Sequence, residues 1–354
     1  MIRRTGQFQV TAVAVGIALC ITSGTVNAQT TFQGKIVNVI INSNPGGGTD
    51  TYGRMITAAM APYLPGNPDI TIRNMPGGGG IQANNYFYSQ VKPDGLTIIA
   101  SSNTQLSPPK LRNQAVKYNP DEYRYIGGTE RLGSVLIARH SKMAQLTNAK
   151  AEPLIHGDID GERDGLVAGL WAKDVLGWNV RFVVGYAGVS AVELAARRGE
   201  IDVFANGNAS IIKRLIGEGF QPLAQIGTRD DNDKIVRRAG FESVPLLDEL
   251  LLPKLSGASL KAYQSWRGDQ LVDKWLALPP KTPDALVEIY RKAYQATVGD
   301  PKNAETFRKT FGEDWTSYAG PSMEKIVKGL VATSQEDVDY VIALRKKHGL
   351  PGSN

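Results

Sequence analysis

Runs of β-branched apolar residues alternate with helix-like spacing through the first hundred residues of the chain. Residues 35–41 predict a buried strand, and apolar residues at helical spacing follow over 52–60. A second strand over 69–75, a helix over 81–91 and a third strand over 96–101 continue the series. The order β-α-β-α-β is typical of a parallel sheet joined by right-handed crossovers.

A second series of the same kind begins near residue 134, so the chain contains two α/β units. Its predicted strands are 134–138, 153–156, 180–184, 201–205 and 222–226, and its predicted helices are 162–176, 189–198 and 209–217. The region 229–280 shows no clear period. It is followed by predicted helices at 284–298, 301–311 and 322–347.

The two units and the returning C-terminal segment predict a bilobed α/β protein with a ligand cleft between its lobes. We expect residues 29–131 together with 245–354 to form lobe 1, and residues 132–244 to form lobe 2. The lobes are expected to rotate about hinges near 128–133 and 243–247.

Two glycine-rich turns in lobe 1 are the main candidates for binding chemistry. Each follows a predicted strand and opens a predicted helix, at Pro45–Asp50 (PGGGTD) and at Pro76–Gly80 (PGGGG). Glycine lets the backbone approach a ligand closely, and a helix start offers free N–H groups and a positive dipole end. We predict that the two turns hold a carboxylate without a charged side chain, through Gly46, Gly47, Gly48, Thr49, Gly78, Gly79 and Gly80. The alternative is that these glycines serve only tight turns and helix packing.

Asp50 needs a separate interpretation, because its carboxylate would repel an anionic ligand. We therefore predict that Thr49 or Asp50 is the N-cap of the first helix.

The N-terminus predicts export. Arg3 and Arg4 precede an apolar core and a small-residue cleavage site ending at Ala28, which together are typical of a signal peptide. Cys20 admits a lipoprotein interpretation, but Leu19 stands where a lipidated cysteine normally has a small residue. Cleavage after Ala28 removes the only cysteine and lowers the formal charge from +6 to +4. The remaining basic residues are scattered in pairs, a pattern that does not favour nucleic-acid binding.

Catalytic signatures are missing from the sequence. It has no Gly-x-Ser-x-Gly elbow, no His-Glu-x-x-His and no phosphate loop with its lysine. His140, His156 and His348 are too widely spaced for a metal site. We therefore predict no catalytic residues, no metal and no cofactor, and we keep an exported hydrolase only as the less favoured alternative.

Several motifs in the same order resemble the solute-binding receptors of tripartite tricarboxylate transporters, also called Bordetella uptake gene receptors. The resemblance covers nearly the whole mature chain. It includes the two glycine turns and the Pro-Asp-Gly-Leu-Thr turn at 93–97. It continues with Tyr186-Ala187-Gly188, Gly-Glu-Ile-Asp-Val at 199–203, Pro279–Pro283 and Asp300-Pro301.

This resemblance implies a periplasmic binding protein fold, type II-like, that closes over a small carboxylate. In such receptors the two glycine loops hold one carboxylate, and the other lobe contacts the far end of the ligand. On lobe 1 we add the residues after the third strand, Ser102, Asn103 and Thr104, because ligands bind at the carboxyl ends of such strands. On lobe 2 the candidates are Gly157, Asp158, Arg163, Tyr186, Gly188 and Asn206.

The loop from His156 to Asp164 departs from the family pattern, which has a Gly-Thr/Ser-Gly-Ser run there. Asp158 or Asp160 would suit an amino or hydroxyl group of the solute, and Arg163 would suit a second carboxylate. A solvated acidic loop that caps the next helix is the third alternative. The tryptophans Trp171, Trp178 and Trp266 are expected in the core.

The resemblance also implies partners. We expect a monomer in the periplasm that binds a small carboxylate and delivers it to the large and small membrane subunits of the transporter. A receptor that presents its closed form to a sensor kinase is the alternative, because both roles use the same closed surface.

Overall fold

The computed structural model describes residues 1–2, 31–107, 112–130, 133–159, 161–229, 234–269, 272–313 and 315–350. The predicted apolar core of the signal peptide, the cleavage site after Ala28 and Asp160 lie outside these residues. Residues 31–354 form one compact unit. No described helix is both long and apolar enough to span a bilayer.

The first sheet has six strands in the order β13-β4-β12-β3-β1-β2. Strands β2 and β3 flank β1 in parallel, as the first α/β series predicts, whereas β12, β4 and β13 join with antiparallel pairing. Its strands are β1 Ile36–Ile41, β2 Asp69–Asn74, β3 Thr97–Ser102, β4 Arg124–Glu130, β12 Val272–Leu278 and β13 Ser317–Ala319.

The second sheet has five strands in the order β7-β6-β8-β5-β9. Its members are β5 Val135–Arg139, β6 Leu154–Asp158, β7 Val180–Val184, β8 Val203–Asn206 and β9 Phe220–Gln225. A two-stranded hairpin follows, of β10 Thr228–Arg229 and β11 Ile235–Val236. The two mixed sheets with their helices correspond to the two α/β units that the sequence predicted. We call the first sheet with its helices lobe 1 and the second sheet with its helices lobe 2.

Helices cover both faces of each sheet. The described helices are α1 Gly48–Met60, α2 Ile81–Gln90, α3 Met143–Leu146, α4 Asp164–Leu176, α5 Val189–Arg198, α6 Ala209–Gly217, α7 Leu247–Leu251, α8 Gly257–Asp269, α9 Asp284–Gly299, α10 Pro301–Phe311, α11 Gly320–Val331 and α12 Gln335–Lys347. In lobe 1, α1, α9 and α10 bury apolar side chains on one face, and α2 and α11 do so on the other. In lobe 2, α4 covers one face, and α5 and α6 cover the other.

The segment without clear periodicity contains regular structure that the sequence did not predict. Strand β12 lies in the middle of the first sheet, although Asp273 and Lys274 interrupt its apolar pattern. Helix α8 buries Ala262, Tyr263 and Trp266 against lobe 2. Trp171 and Trp178 lie in the same core, as expected.

The single C-terminal helix predicted over 322–347 is wrong. It is two helices, because α11 ends at Val331 and the Ser334 hydroxyl accepts a hydrogen bond from the Asp337 N–H at the start of α12. The break lets α11 pack on the first sheet while α12 contributes Leu344 to the core of lobe 2.

The chain therefore passes between the lobes at three places. These places lie between β4 and β5, between α8 and β12, and between α11 and α12. Residues 243–247, expected as a hinge, instead lie within lobe 2, because Leu246 bridges to Gln225 and Leu247 is fully buried in that core. Helices α7, α8 and α12, which the sequence assigned to lobe 1, also pack on lobe 2.

The fully buried His156 has an unusual environment. It lies on β6 between Phe182 and Gly169, and neither ring nitrogen has a hydrogen-bond partner among the described residues. Burial lowers the pKa of His156 from 6.5 to about 3. In the unfolded chain the imidazole binds a proton near pH 6.5, whereas in the folded protein it does so only near pH 3. The stability that His156 contributes is therefore complete above pH 6.5. That contribution is lost as the pH falls from 6.5 towards 3.

We predict that His156→Leu flattens the pH dependence of stability. Between pH 6.5 and 4.5 the wild-type free energy of unfolding should fall by about 1.4 kcal/mol per pH unit on account of this one group. Urea denaturation at several pH values measures the slope. His140→Leu, at an exposed histidine, serves as the matched control. Equal slopes in His156→Leu and wild type would contradict the assignment.

Candidate functional site

The first glycine loop follows β1 and leads directly into α1. Gly46 has a φ of +83°, which favours glycine, and Gly47 is the N-cap. No side chain caps α1 at Gly47, so its first N–H groups remain available to a ligand. The prediction that Thr49 or Asp50 is the N-cap is wrong, because the helix already begins at Gly48.

Asp50 instead anchors the loop from inside the first helical turn. Its carboxylate accepts hydrogen bonds from the Gly46 N–H at 2.9 Å, from Asn74 Nδ2 at 2.7 Å and from Arg54 Nε at 2.9 Å. The hydrogen bond from Arg54 lowers the pKa of Asp50 to about 2, with help from Asn74 and Gly46 and against the opposing effect of burial. Asp50 therefore holds the loop in shape through contacts inside the fold.

The second glycine loop is built from left-handed backbone. Gly77, Gly78, Gly79 and Gly80 all have φ between +56° and +130°, conformations that other residues rarely adopt. The Gly79 carbonyl accepts from Gln105 Nε2 at 2.6 Å, and the Gly80 carbonyl accepts from Asn84 Nδ2 at 2.9 Å. A Cβ at Gly80 would lie 2.6 Å from Asn42 Nδ2, so this glycine is required by packing.

The structure brings both loops and the third candidate segment to one edge of the first sheet. The loops follow β1 and β2, and Asn103 and Thr104 follow β3, which is the other neighbour of β1. Asn74 at the end of β2 links the two loops, since it bonds both Asp50 and the Ser43 carbonyl. Ser102 Oγ and Thr104 Oγ1 are 3.0 Å apart.

A cavity of about 230 Å³ lies between the two lobes. Lobe 1 lines it with residues at the starts of α1 and β12, at the end of β4 and around the end of α10, namely Gly48, Tyr52, Thr129, Glu130, Asp273, Lys274, Phe311 and Trp315. Ser134, between β4 and β5, also lines it, and lobe 2 contributes Arg163, Asp164, Val189, Asn206, Gly207 and Asn208.

Helix starts converge on this cavity from both lobes. Of the described helices, α1, α4, α5 and α6 all begin at or next to lining residues. Asn208 caps α6 with its own side chain, whereas the starts of α1, α4 and α5 have no side-chain cap. Uncapped N–H groups and positive dipole ends create a favourable environment for an anion.

Charged side chains complete the lining. Lys274 forms an ion pair with Asp273, and a Cβ on Gly48 would lie 3.7 Å from Lys274 Cε. A cation therefore stands beside the first glycine loop. On the opposite wall, Arg163 Nε lies 3.0 Å from Asp158 Oδ1, and the buried Asp164 carboxylate accepts from the Ser134 N–H at 3.3 Å.

Three of the residues predicted from sequence, Gly48, Arg163 and Asn206, line the cavity together. Gly188 is the N-cap of α5, directly before the lining residue Val189. Gly157 packs under Tyr186. A Cβ added at Gly157 would lie 3.2 Å from the Tyr186 ring and 2.7 Å from the Ile201 side chain.

Asp158 is buried behind Arg163 and accepts the Ile159 N–H, so the loop from His156 to Asp164 is braced by an internal ion pair. The Asp158 side chain is not among the described lining residues of the cavity.

The charged and aromatic lining residues of lobe 1 are not among the residues predicted from the sequence. Lys274 and Asp273 lie in the segment that showed no period, and Phe311 and Trp315 stand at the end of a correctly predicted helix. The one available signal was the polar pair that interrupts the apolar run of β12. Among the described residues, no cluster of histidine, cysteine or carboxylate side chains could hold a metal ion.

We predict that Asp50→Asn loosens the first glycine loop. Removing the charge weakens the bonds from Arg54 and Gly46, and the loss in the free energy of unfolding should be about 2 kcal/mol. Urea denaturation at pH 7 measures it, with Asp69→Asn at the exposed start of β2 as the matched control. A loss below about 0.5 kcal/mol, the usual range for surface positions, would contradict the anchoring role.

Proteins of similar sequence and architecture are known. No protein-family model matches the chain. A UPF0065 protein of Bordetella pertussis is 24% identical over 308 residues, which cover 84% of this chain and 87% of that protein.

Solved structures of similar architecture include a TctC solute-binding protein from Polaromonas, with a TM-score of 0.63 and 18% identity over 88% of this chain and 98% of that one. R. palustris Rpa4515 with adipate has a TM-score of 0.61 and 18% identity over 86% and 96% of the two chains. The periplasmic binding protein BugD has a TM-score of 0.57 and 18% identity over 90% and 99%.

These findings confirm the resemblance to the receptors of tripartite tricarboxylate transporters that the motifs indicated. The chain has the fold of the TctC and BugD solute-binding proteins and is a relative of the Bordetella UPF0065 protein.

Proposed function

We propose that this protein is a periplasmic receptor that captures a small organic carboxylate between its lobes. It then delivers the solute to the large and small membrane subunits of a tripartite tricarboxylate-type transporter. The observation that carries the proposal is the convergence of the uncapped starts of α1, α4 and α5 on one cavity.

A carboxylate fits this cavity for a physical reason. The first N–H groups of a helix have no partner within the helix, and an anion satisfies them while interacting favourably with the dipole. In our proposal the two oxygens of one solute carboxylate face the backbone of Gly47, Gly48 and Thr49 at the start of α1. Lys274 supplies a cation next to it. The second glycine loop, from Gly78 to Gly80, closes the neighbouring side.

The opposite wall would hold the far end of the solute. Arg163 and Asn206 line it with side-chain donors, and Gly188 leaves the start of α5 open. Because Arg163 is paired with Asp158, we infer that this ion pair fixes the guanidinium on the wall.

The compared structures support a carboxylate solute and a periplasmic location. Rpa4515 is solved with adipate, and a second protein of similar fold, MatC from Rhodopseudomonas palustris, is solved with malate. BugD is described as periplasmic. BugD and the TctC protein from Polaromonas are described as binding proteins, which favours binding over catalysis for this chain.

Binding would be coupled to closure of the lobes. The solute contacts both walls only when they approach, so its affinity favours the closed arrangement. The three connections between the lobes, after β4, after α8 and after α11, are the places where backbone rotation would occur. The membrane subunits would then recognise the closed form.

We predict that Gly48→Leu abolishes carboxylate binding without unfolding the protein. A Cβ at Gly48 makes only an ordinary contact with Lys274, so the backbone tolerates the change, while the larger side chain fills the anion site. Thermal shift against mono-, di- and tricarboxylates provides the measurement, because ligands that bind the native state raise the midpoint.

Gly217→Leu, at the exposed end of α6 where a Cβ meets nothing, is the matched control and should retain the shift. If no carboxylate shifts the wild-type midpoint, or if Gly48→Leu responds as wild type does, the proposed site is wrong.

We predict that Lys274→Met weakens carboxylate binding by about tenfold or more, because a charge-assisted hydrogen bond is lost. Isothermal titration measures the dissociation constant. Lys142→Met, which removes a lysine paired with Asp202 in lobe 2, is the control and should bind as wild type does. An unchanged affinity in Lys274→Met would show that Lys274 does not contribute to carboxylate binding.

A further inference from the structure

Three of the side chains that lobe 1 contributes to the cavity lining carry large aromatic rings, namely Tyr52, Phe311 and Trp315. The rings of Tyr52 and Phe311 meet edge to face with centroids 6.2 Å apart, and those of Phe311 and Trp315 are also 6.2 Å apart. The three rings therefore form one continuous surface, which we call the aromatic wall.

A local feature of the chain presents this wall to the cavity. Helix α10 ends at Phe311, and Gly312 follows with a φ of +133°, a conformation suited to glycine. The Trp315 N–H then donates a hydrogen bond to the Gly312 carbonyl at 3.0 Å. Phe307 lies behind the wall, within the core, and its ring centroid is 5.1 Å from that of Trp315.

The wall stands at a defined distance from the anion site. Gly48 and Tyr52 are four residues apart on α1, so they lie on the same helix face, separated by about 6 Å along the axis. A carboxylate at the helix start therefore places the body of its molecule beside Phe311, whose ring packs on the buried Tyr52. This span suits a carboxyl group joined directly, or by a short linker, to a six-membered ring.

We propose that the solute is a small aromatic carboxylate whose ring packs on the aromatic wall. The inference rests on the proposed function, since it takes the start of α1 and Lys274 as the carboxylate site. Aromatic rings prefer offset or edge-to-face packing with other rings, and such pairs contribute affinity beyond the area they bury. A cavity of about 230 Å³ also limits the solute to a compact molecule.

The test is titration calorimetry of the purified mature protein with benzoate, 3-phenylpropionate, cyclohexanecarboxylate, hexanoate and adipate. Benzoate and cyclohexanecarboxylate have the same number of heavy atoms, so their ratio isolates the effect of the aromatic ring. We expect an aromatic acid to bind about three- to tenfold more tightly than its saturated counterpart. Phe311→Leu should reduce this ratio to near one.

Phe307→Leu is the matched control, because it alters the same ring cluster without lining the cavity, and it should keep the ratio. Trp315→Phe gives a second readout. Trp315 is the tryptophan among the described lining residues, so this variant should still bind the aromatic acid but lose most of the ligand-induced change in tryptophan fluorescence.

The outcomes separate the two proposals. If aliphatic acids bind as tightly as aromatic acids, or if Phe311→Leu weakens all acids equally, the aromatic inference is wrong while the carboxylate receptor stands. If no acid binds at all, both are wrong.

Discussion

The first N–H groups of an α-helix need a partner from outside the helix, and this constraint organises the cavity. The starts of α1, α4 and α5 reach the space between the lobes without a side-chain cap. Such groups are costly to bury unpaired, so the cavity is suited to an anion or to water and poorly suited to an apolar solute alone. The carboxyl ends of the strands place these starts at one edge of each sheet.

Keeping those N–H groups in place depends on buried polar side chains that are not among the described lining residues of the cavity. Asp50 accepts bonds from Gly46, Asn74 and Arg54, so one carboxylate joins the first glycine loop to the strand that precedes the second. Gln105 and Asn84 hold the carbonyls of the second loop in the same way. These bonds are made inside the fold, so the loops are shaped before any solute arrives, which lowers the ordering cost of binding.

The lobes are held in one compact unit by segments that cross between them. Glu130 at the end of β4 accepts hydrogen bonds from Thr228 at 2.7 Å and from Thr316 at 2.6 Å, and thereby ties the hairpin that follows β9 to the segment before β13. Helix α12 follows α11 of lobe 1 in the chain and packs its Leu344 in the core of lobe 2. The helices on either side of the connection between α11 and α12 are anchored in separate cores.

The sequence alone determined the local features of this protein. Hydrophobic periodicity and turn-forming residues were sufficient to predict strands β1, β2 and β3, helices α5, α6 and α10, and the two glycine turns. Each of these depends on residues close together in the chain. Only the tertiary structure decided that Gly47 rather than Asp50 caps α1, that Lys274 and Asp273 face the cavity, and that Phe311 and Trp315 form its wall. It also decided that α8 and α12 belong to lobe 2. The physical reason is that these roles depend on partners far apart in sequence, and a pattern along the chain carries no record of what lies across a fold.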